Sequence, residues 1–165
     1  MPDYTYLIVG GGMTADAAVR GIREVDPNGS VGVLSADTHP PYDRPPLSKG
    51  LWKDKPPESI WRHTETQRVT LHLGRTARRL DPRAKRVTDD QGTVYGYGRL
   101  LLATGGTPRR LPFGGDQIVY YRTLDDYRHL RSRDFARGLP AVQALPSALS
   151  GSGLQSVSGF LSAHI

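Results

Sequence analysis

No cysteine occurs anywhere in the chain. That absence excludes a disulfide framework, a thiolate metal site and a redox-active cysteine pair. Long apolar runs are missing too, since none approaches the roughly 20 residues that span a bilayer. The first apolar segment begins within a few residues of the N-terminus, with no basic-then-apolar leader before it, so a soluble, cytoplasmic protein is expected. Acidic residues are scarce beside basic ones, 16 against 22, which leaves a formal charge of +6. Arg75, Arg78, Arg79, Arg83, Lys85 and Arg86 crowd much of that surplus into one region. Such a cluster is either a docking surface for an acidic partner or the solvated face of a β-hairpin, and the hairpin is the simpler reading. No aromatic residues interleave with it, which argues against nucleic acid. Residues Gly138 to Ile165 carry no Asp, Glu, Lys or Arg at all. They read as a poorly specified tail, or as an amphipathic helix that Pro146 and Gly151-Ser152-Gly153 interrupt.

Catalytic constellations of the common kinds are absent as well. His39, His63, His72, His129 and His164 have no metal-ligand spacing and no supporting cluster of acids, so no metal site is expected. No Ser, His and Asp grouping stands in a nucleophile-elbow context. The 165 residues suit one domain with a real core.

What the chain does contain is Tyr6-Leu7-Ile8-Val9-Gly10-Gly11-Gly12-Met13-Thr14-Ala15-Asp16-Ala17-Ala18. A short apolar strand runs into three glycines and continues as a helix, in the frame Gly10-x-Gly12-x-x-Ala15. This is the dinucleotide-binding fingerprint with alanine in its third slot. Gly10 allows the tight turn, Gly12 lets the main chain approach a pyrophosphate, and the small Ala15 keeps helix and strand close. Free N–H groups and the positive end of the helix dipole then favour a phosphate. Ala15, Ala18, Ile22 and Val25 recur at helical spacing as the buried face. Asp26-Pro27-Asn28-Gly29 ends the helix, Val31 to Ser35 forms a second strand, and Asp37 follows. An acid about 20 residues beyond the glycines reaches the adenosine ribose hydroxyls and would repel a 2′-phosphate, which disfavours NADP here. A glycine turn used only for packing is the competing reading.

Pro40, Pro41, Pro45 and Pro46 then hold a segment extended, with helical bias only after Pro46. Carrying Arg44 and Lys49 on the carboxyl side of the sheet, this stiff loop suits a clamp on a polar ligand. Lys53 to Arg68 is irregular, with a short helix near Ser59 to Thr66. Val69 to Leu73 reads as a strand, and Thr76–Leu80, Lys85–Thr88 and Val94–Tyr97 form an antiparallel meander. Arg99 to Ala103 reads as a buried apolar strand running into Thr104-Gly105-Gly106, whose bare amides suit a ligand.

With these residues in hand, the chain resembles the FAD-binding start of the pyridine nucleotide–disulfide oxidoreductase superfamily. Within it, the nearest branch is that of bacterial ferredoxin and rubredoxin reductases and apoptosis-inducing-factor relatives. The resemblance runs from about Thr5 to Arg131. It rests on the glycine motif, Pro41-Tyr42-Asp43-Arg44-Pro45-Pro46-Leu47-Ser48-Lys49-Gly50-Leu51-Trp52, Leu102 to Arg109, and Tyr121-Arg122-Thr123-Leu124-Asp125-Asp126.

The resemblance implies a Rossmann-like βαβ, α/β domain with an antiparallel β-meander and an incomplete sheet. It implies FAD held by Gly10, Gly11, Gly12, Met13, Thr14 and Ala15 at the pyrophosphate and Asp37 at the ribose. Arg44 would reach the phosphates or ribityl chain, and Lys49 would lie beside the flavin near N5 as the catalytic candidate. Ala77 would meet adenine through its backbone, with Thr104, Gly105 and Arg122 close to the cofactor. In such enzymes NADH supplies hydride, and electrons leave singly to an iron–sulfur or rubredoxin partner. Relatives continue past the position of Arg131 with a second glycine motif for NAD, which is not found here. The expectation is an incomplete FAD-binding domain over 1–131 and a low-specificity tail over 132–165, as a truncation or frameshift near Ser132 would produce. Two functions stay open: the FAD module of a ferredoxin reductase-like enzyme, and a non-catalytic remnant that binds FAD or adenine nucleotides.

Overall fold

The computed structural model describes residues 1–115 and 118–137, side chains of 134–137 excepted. The expected tail from residue 138 onward, His164 included, therefore lies outside the described residues. The chain divides into two compact units: Met1–Asp43 with Glu58–Gly106, and Arg44–Pro57 with Thr107–Ile165.

The first unit is built on a six-stranded sheet. In chain order its elements are β1 (Asp3–Val9), α1 (Met13–Val25), β2 (Val31–Leu34), β3 (Thr70–His72), β4 (Ala77–Asp81), β5 (Arg86–Asp89) and β6 (Val94–Leu102). The strand order is β3-β2-β1-β6-β5-β4. β1 is central, parallel to β2 on one side and to β6 on the other, while β4, β5 and β6 run antiparallel. The expected βαβ unit and meander are both present, but they share one sheet. The segments expected separately at Val94–Tyr97 and Arg99–Ala103 are a single nine-residue strand. Its first half pairs with β5 and its second half with β1.

Alternation along β1 builds two apolar layers. Leu7 and Val9 join Leu34, Val87 and Tyr95 on one face. Ile8 joins Val31, Val33, Ala15 and Val19 on the other, where α1 packs. The buried stripe of α1 is Ala15, Asp16 and Val19, with Ala18 and Ile22 beside it. Val25, expected in that stripe, is 81% exposed because the helix ends there at the sheet margin. Leu101 and Leu102, expected to be buried, are 40% and 59% exposed. Leu101 is paired with Ile8 and Leu102 with Val9, yet neither joins the described clusters to which those two residues belong.

The C-terminal end of α1 is fixed by both local and distant partners. Asp26 takes the N–H groups of Gly29 at 2.8 Å and Asn28 at 3.2 Å, and Tyr6 donates its hydroxyl to the same carboxylate at 3.0 Å. Arg23 donates to the carbonyls of Gly29, Gln67 and Arg68 at 2.8, 2.8 and 2.7 Å, a cation at the negative helix end. The helix expected near Ser59 to Thr66 is instead two 3₁₀ turns, Pro57–Ile60 and Thr64–Gln67. His63, between them, has φ of +52°, a left-handed residue that an α-helix cannot include.

In the second unit, 3₁₀ turns at Pro45–Ser48 and Gly50–Lys53 bury Leu47 and Leu51. They pack with helix α2 (Leu124–Arg137). Tyr127 donates its hydroxyl to Leu51 O at 3.2 Å and sets its ring edge-on to Trp52, centroids 5.4 Å apart. Arg131 lies 5.4 Å over the Trp52 ring and donates to Asp54 at 2.8 Å. Tyr121 donates to Leu47 O and accepts from Trp52 Nε1. Burial pushes its phenol up to about 12.

Two glycines of the first unit have opposite requirements. Gly10 has φ of +119°, and a Cβ there would lie 2.0 Å from Ala103 O. Gly21, inside α1, would meet nothing within 4 Å. Gly10→Ala is expected to cost at least about 3 kcal/mol, whereas Gly21→Ala should add roughly 1 kcal/mol of helix stability. Urea unfolding of the two variants beside the parent chain measures both.

Candidate functional site

The glycine turn is stitched where three strands end. Gly10 N–H donates to Leu34 O at 2.8 Å, and Ala103 N–H donates to Val9 O at 2.7 Å. A Cβ on Gly11 would stand 2.1 Å from Ser35 Oγ. The first two glycines are thus required by close approach to β2 and to the end of β6. Gly12 differs: it is the extended N-cap of α1, and a Cβ there would meet nothing within 4 Å. The main chain at Gly12 borders open space. Ala15 and Asp16 donate their amides to Gly12 O at 3.0 and 3.2 Å. Among the described residues no partner is placed on the amides of Met13 and Thr14, which open the helix. Both side chains are exposed, whereas Ala15 is fully buried against the sheet.

Asp37 follows β2 and is held by its own loop. It accepts from His39 N–H at 3.1 Å and from the Tyr42 hydroxyl at 2.9 Å. Its carbonyl takes Gly74 N–H at 3.0 Å, and Ser35 O takes Arg75 N–H at 2.8 Å. These bonds bring the acid beside the Gly74-Arg75-Thr76-Ala77 stretch, 37 residues or more along the chain joined in a single corner. Ala77 opens β4 and packs against the Leu7, Val9 and Tyr95 cluster. Thr104 N would lie 2.9 Å from a Cβ on Gly10, and Gly105 has φ of +67°. The structure therefore gathers Gly10 to Ala15, Thr104 and Gly105 at the strand ends, with Asp37 just past β2 tied to the Gly74–Arg75 stretch that leads into Ala77.

Arg44, Lys49 and Arg122 belong to the second unit. Arg44 donates to Arg122 O at 3.4 Å, and Lys49 sits at the junction of the two 3₁₀ turns. Arg122 is fixed by a capping box: Asp126 accepts the N–H groups of Arg122 and Thr123 at 2.9 and 2.6 Å. The Thr123 hydroxyl in turn accepts Asp126 N–H at 3.2 Å. The Thr123-Leu124-Asp125-Asp126 run is thus a helix start before it is anything else.

One cluster had no prior reading from the sequence. Asp16, on the first turns of α1, is fully buried. It accepts from Arg20 Nε at 2.9 Å, Arg62 Nε at 2.7 Å and Thr64 Oγ1 at 2.6 Å. Arg62 also pairs with Asp43. Burial pushes the Asp16 carboxyl up, but the bonds from Arg20, Thr64 and Arg62 outweigh it and hold the group below its ordinary value. The available signal was an acid interrupting an alanine-rich buried face. Elsewhere, burial lowers the His72 pKa, and its Nε2 meets the Tyr4 hydroxyl at 2.7 Å. Among the described residues no group of His, Asp and Glu is arranged to hold a metal ion. No described helix is long and apolar enough to cross a membrane.

A family model described as pyridine nucleotide-disulphide oxidoreductase matches residues 4–153. The 5,5'-dehydrodivanillate O-demethylase ferredoxin reductase subunit of Sphingobium sp. is 35% identical over 123 residues, covering 70% of this chain and 29% of that protein. Apoptosis-inducing factor 1, mitochondrial, of Dictyostelium discoideum is 31% identical over 149 residues, 77% of this chain and 28% of that one. Among solved structures, the covalent putidaredoxin reductase–putidaredoxin complex superimposes with a TM-score of 0.71 at 29% identity, covering 80% of this chain and 34% of that chain. The chain spans less than a third of the length of these curated relatives. Its sheet is correspondingly a part of the larger fold in its structural neighbour.

The Asp16 pairing sets an acid limb. Because folding depresses this pKa, the unfolded chain takes up the proton first as pH falls. The contribution is complete above about pH 4 and is lost as pH drops through the native value. Asp16→Asn is expected to cost about 2 kcal/mol at neutral pH, shrinking toward zero in acid. Guanidinium unfolding at a series of pH values measures the difference.

Proposed function

Because this chain belongs to the pyridine nucleotide-disulphide oxidoreductase family, whose members are FAD-binding flavoproteins, we propose that it is the FAD-binding module of a ferredoxin reductase-like oxidoreductase. The observation that carries the reading is the open main chain at Gly12, beside helix-start amides without partners among the described residues, where Gly10 and Gly11 are closed by packing. A turn built only for packing has no reason to leave its third glycine facing empty space. Phosphate is the ligand such a helix start favours, through N–H donors and dipole together.

The donor set fits FAD residue by residue. Gly11, Gly12, Met13 and Thr14 would hold the pyrophosphate through the main chain. Ala15, its side chain buried and its amide bonded to Gly12 O, would contribute by letting α1 sit close to β1. Asp37 would take the adenosine ribose, with the backbone at Ala77 against adenine. Thr104 and Gly105 would border the cofactor from the end of β6. Arg44, braced on Arg122 O, would reach its phosphates or ribityl chain, and Lys49 would act beside the flavin ring. When bound, FAD supplies hydride acceptance and stepwise electron release. The reductant would be NADH and the acceptor a ferredoxin or rubredoxin, with the assembly working in the cytoplasm. Residues 1–131 would form the cofactor module, with 132–165 outside it.

Purified chain should carry flavin through gel filtration and show its yellow absorbance band. Gly12→Val fills the open space and is expected to abolish flavin retention while leaving the far-UV spectrum unchanged. Arg44→Ala and Lys49→Ala should each weaken retention by about tenfold, the usual size for a charged hydrogen bond to a ligand. A colourless parent chain that gains no flavin on reconstitution would contradict the assignment. Bleaching of the band by NADH tests the enzymatic half, and a bound but NADH-inert flavin would leave a non-catalytic FAD-binding module.

A further inference from the structure

We propose that Arg62 is a positioning and charge-neutralising residue for the diphosphate site, acting by cancelling the buried charge of Asp16. The inference rests on the cofactor reading above. Asp16 lies at the start of α1, four residues after Gly12, and its side chain is fully buried. An ionised carboxylate there opposes the effect that makes a helix start attract phosphate. Its own negative charge sits below the amides that would receive a second one. The chain nevertheless keeps Asp16 ionised, since its pKa is held below the ordinary value.

Two cations meet it. Arg20 and Arg62 both donate to Oδ2, at 2.9 and 2.7 Å. Arg20 is the more exposed of the two, its side chain 45% accessible against 26% for Arg62. Water therefore screens Arg20 more strongly, and Arg62 supplies more of the cancelling field. Arg62 has a second task on the same guanidinium: it pairs with Asp43, the residue that immediately precedes Arg44. Its backbone is anchored separately, donating N–H to Pro41 O at 3.1 Å and accepting Arg20 Nη2 at 2.7 Å. Those main-chain bonds survive substitution of the side chain. With Arg20, Arg62, Asp16 and Asp43 all ionised, the cluster is neutral, and removing Arg62 leaves a net negative charge at the helix start.

A purely structural Arg62 and a charge-cancelling one predict different things. ADP and adenosine serve as probes, because they share the adenine and ribose but differ in the diphosphate. Calorimetric titration of the whole chain is expected to show Arg62→Met weakening ADP about tenfold, the reach of a charge near a helix terminus. Adenosine affinity should be unchanged. Adding Asp16→Asn to Arg62→Met should restore most of the ADP affinity, although that change removes hydrogen bonds and lowers stability. Arg62→Lys, which keeps the charge, should retain ADP within about threefold on the same scale. Circular dichroism confirms that each variant is folded at the titration temperature. Equal losses for ADP and adenosine, or a double variant no better than Arg62→Met, would overturn the inference and leave Arg62 a structural tie. A parent chain that binds neither FAD nor ADP would instead remove the cofactor assignment, and this inference with it.

Discussion

The approach of Gly10 to Ala103 is the contact on which the rest of the first unit depends. With a built Cβ only 2.0 Å from Ala103 O and a φ of +119°, no side chain is compatible with the turn. That contact lets β1 end against β6 while its amide still reaches Leu34 on β2. Three strand ends are thereby drawn to one point, and α1 starts there with its first amides facing outward. Move the turn by the width of a methyl group and the helix start would no longer lie over the strand ends.

Polar groups then fix what the glycines bring together. Asp37 is oriented by His39 N–H and Tyr42, and it is tied to the Gly74 stretch by backbone bonds. Asp89 does comparable work at the end of β5, where it accepts from Thr93, Gln91 and Tyr95 and pairs with Arg75. Asp16 ties α1 to the Arg62–Thr64 segment. Each of these acids is partly or wholly buried, and each has several donors, as a buried charge requires. Arg75 belongs to the basic run of the sequence, yet it is partnered by Asp89. The remaining arginines lie on the exposed β4–β5 hairpin, consistent with its solvated face.

The proline-rich segment turned out to carry two kinds of residue. Arg44 and Lys49 are the residues proposed to meet a ligand, whereas Leu47, Leu51 and Trp52 form the core of the second unit with Tyr121 and Tyr127. A motif that looks wholly functional in one dimension is about half packing. The same holds at Thr123 to Asp126, a capping box that fixes Arg122 as a by-product of starting α2.

Local chemistry by itself determined the strand–glycine–helix–strand series, the position of Asp37, the cap at Asp26 and the turns at Asp81 and Asp89. Each follows from residues a few positions apart, through steric limits or short-range hydrogen bonds. Only the tertiary structure decided that the meander and the βαβ unit form one sheet, because pairing β6 with both β5 and β1 joins residues distant in sequence. It alone decided that Val25 and Leu102 are exposed, since burial depends on what packs above a residue and not on its own hydrophobicity. It alone revealed the Asp16–Arg62 pair, whose 46-residue separation leaves no periodic trace and whose energy exists only once the chain has folded water away from the carboxylate.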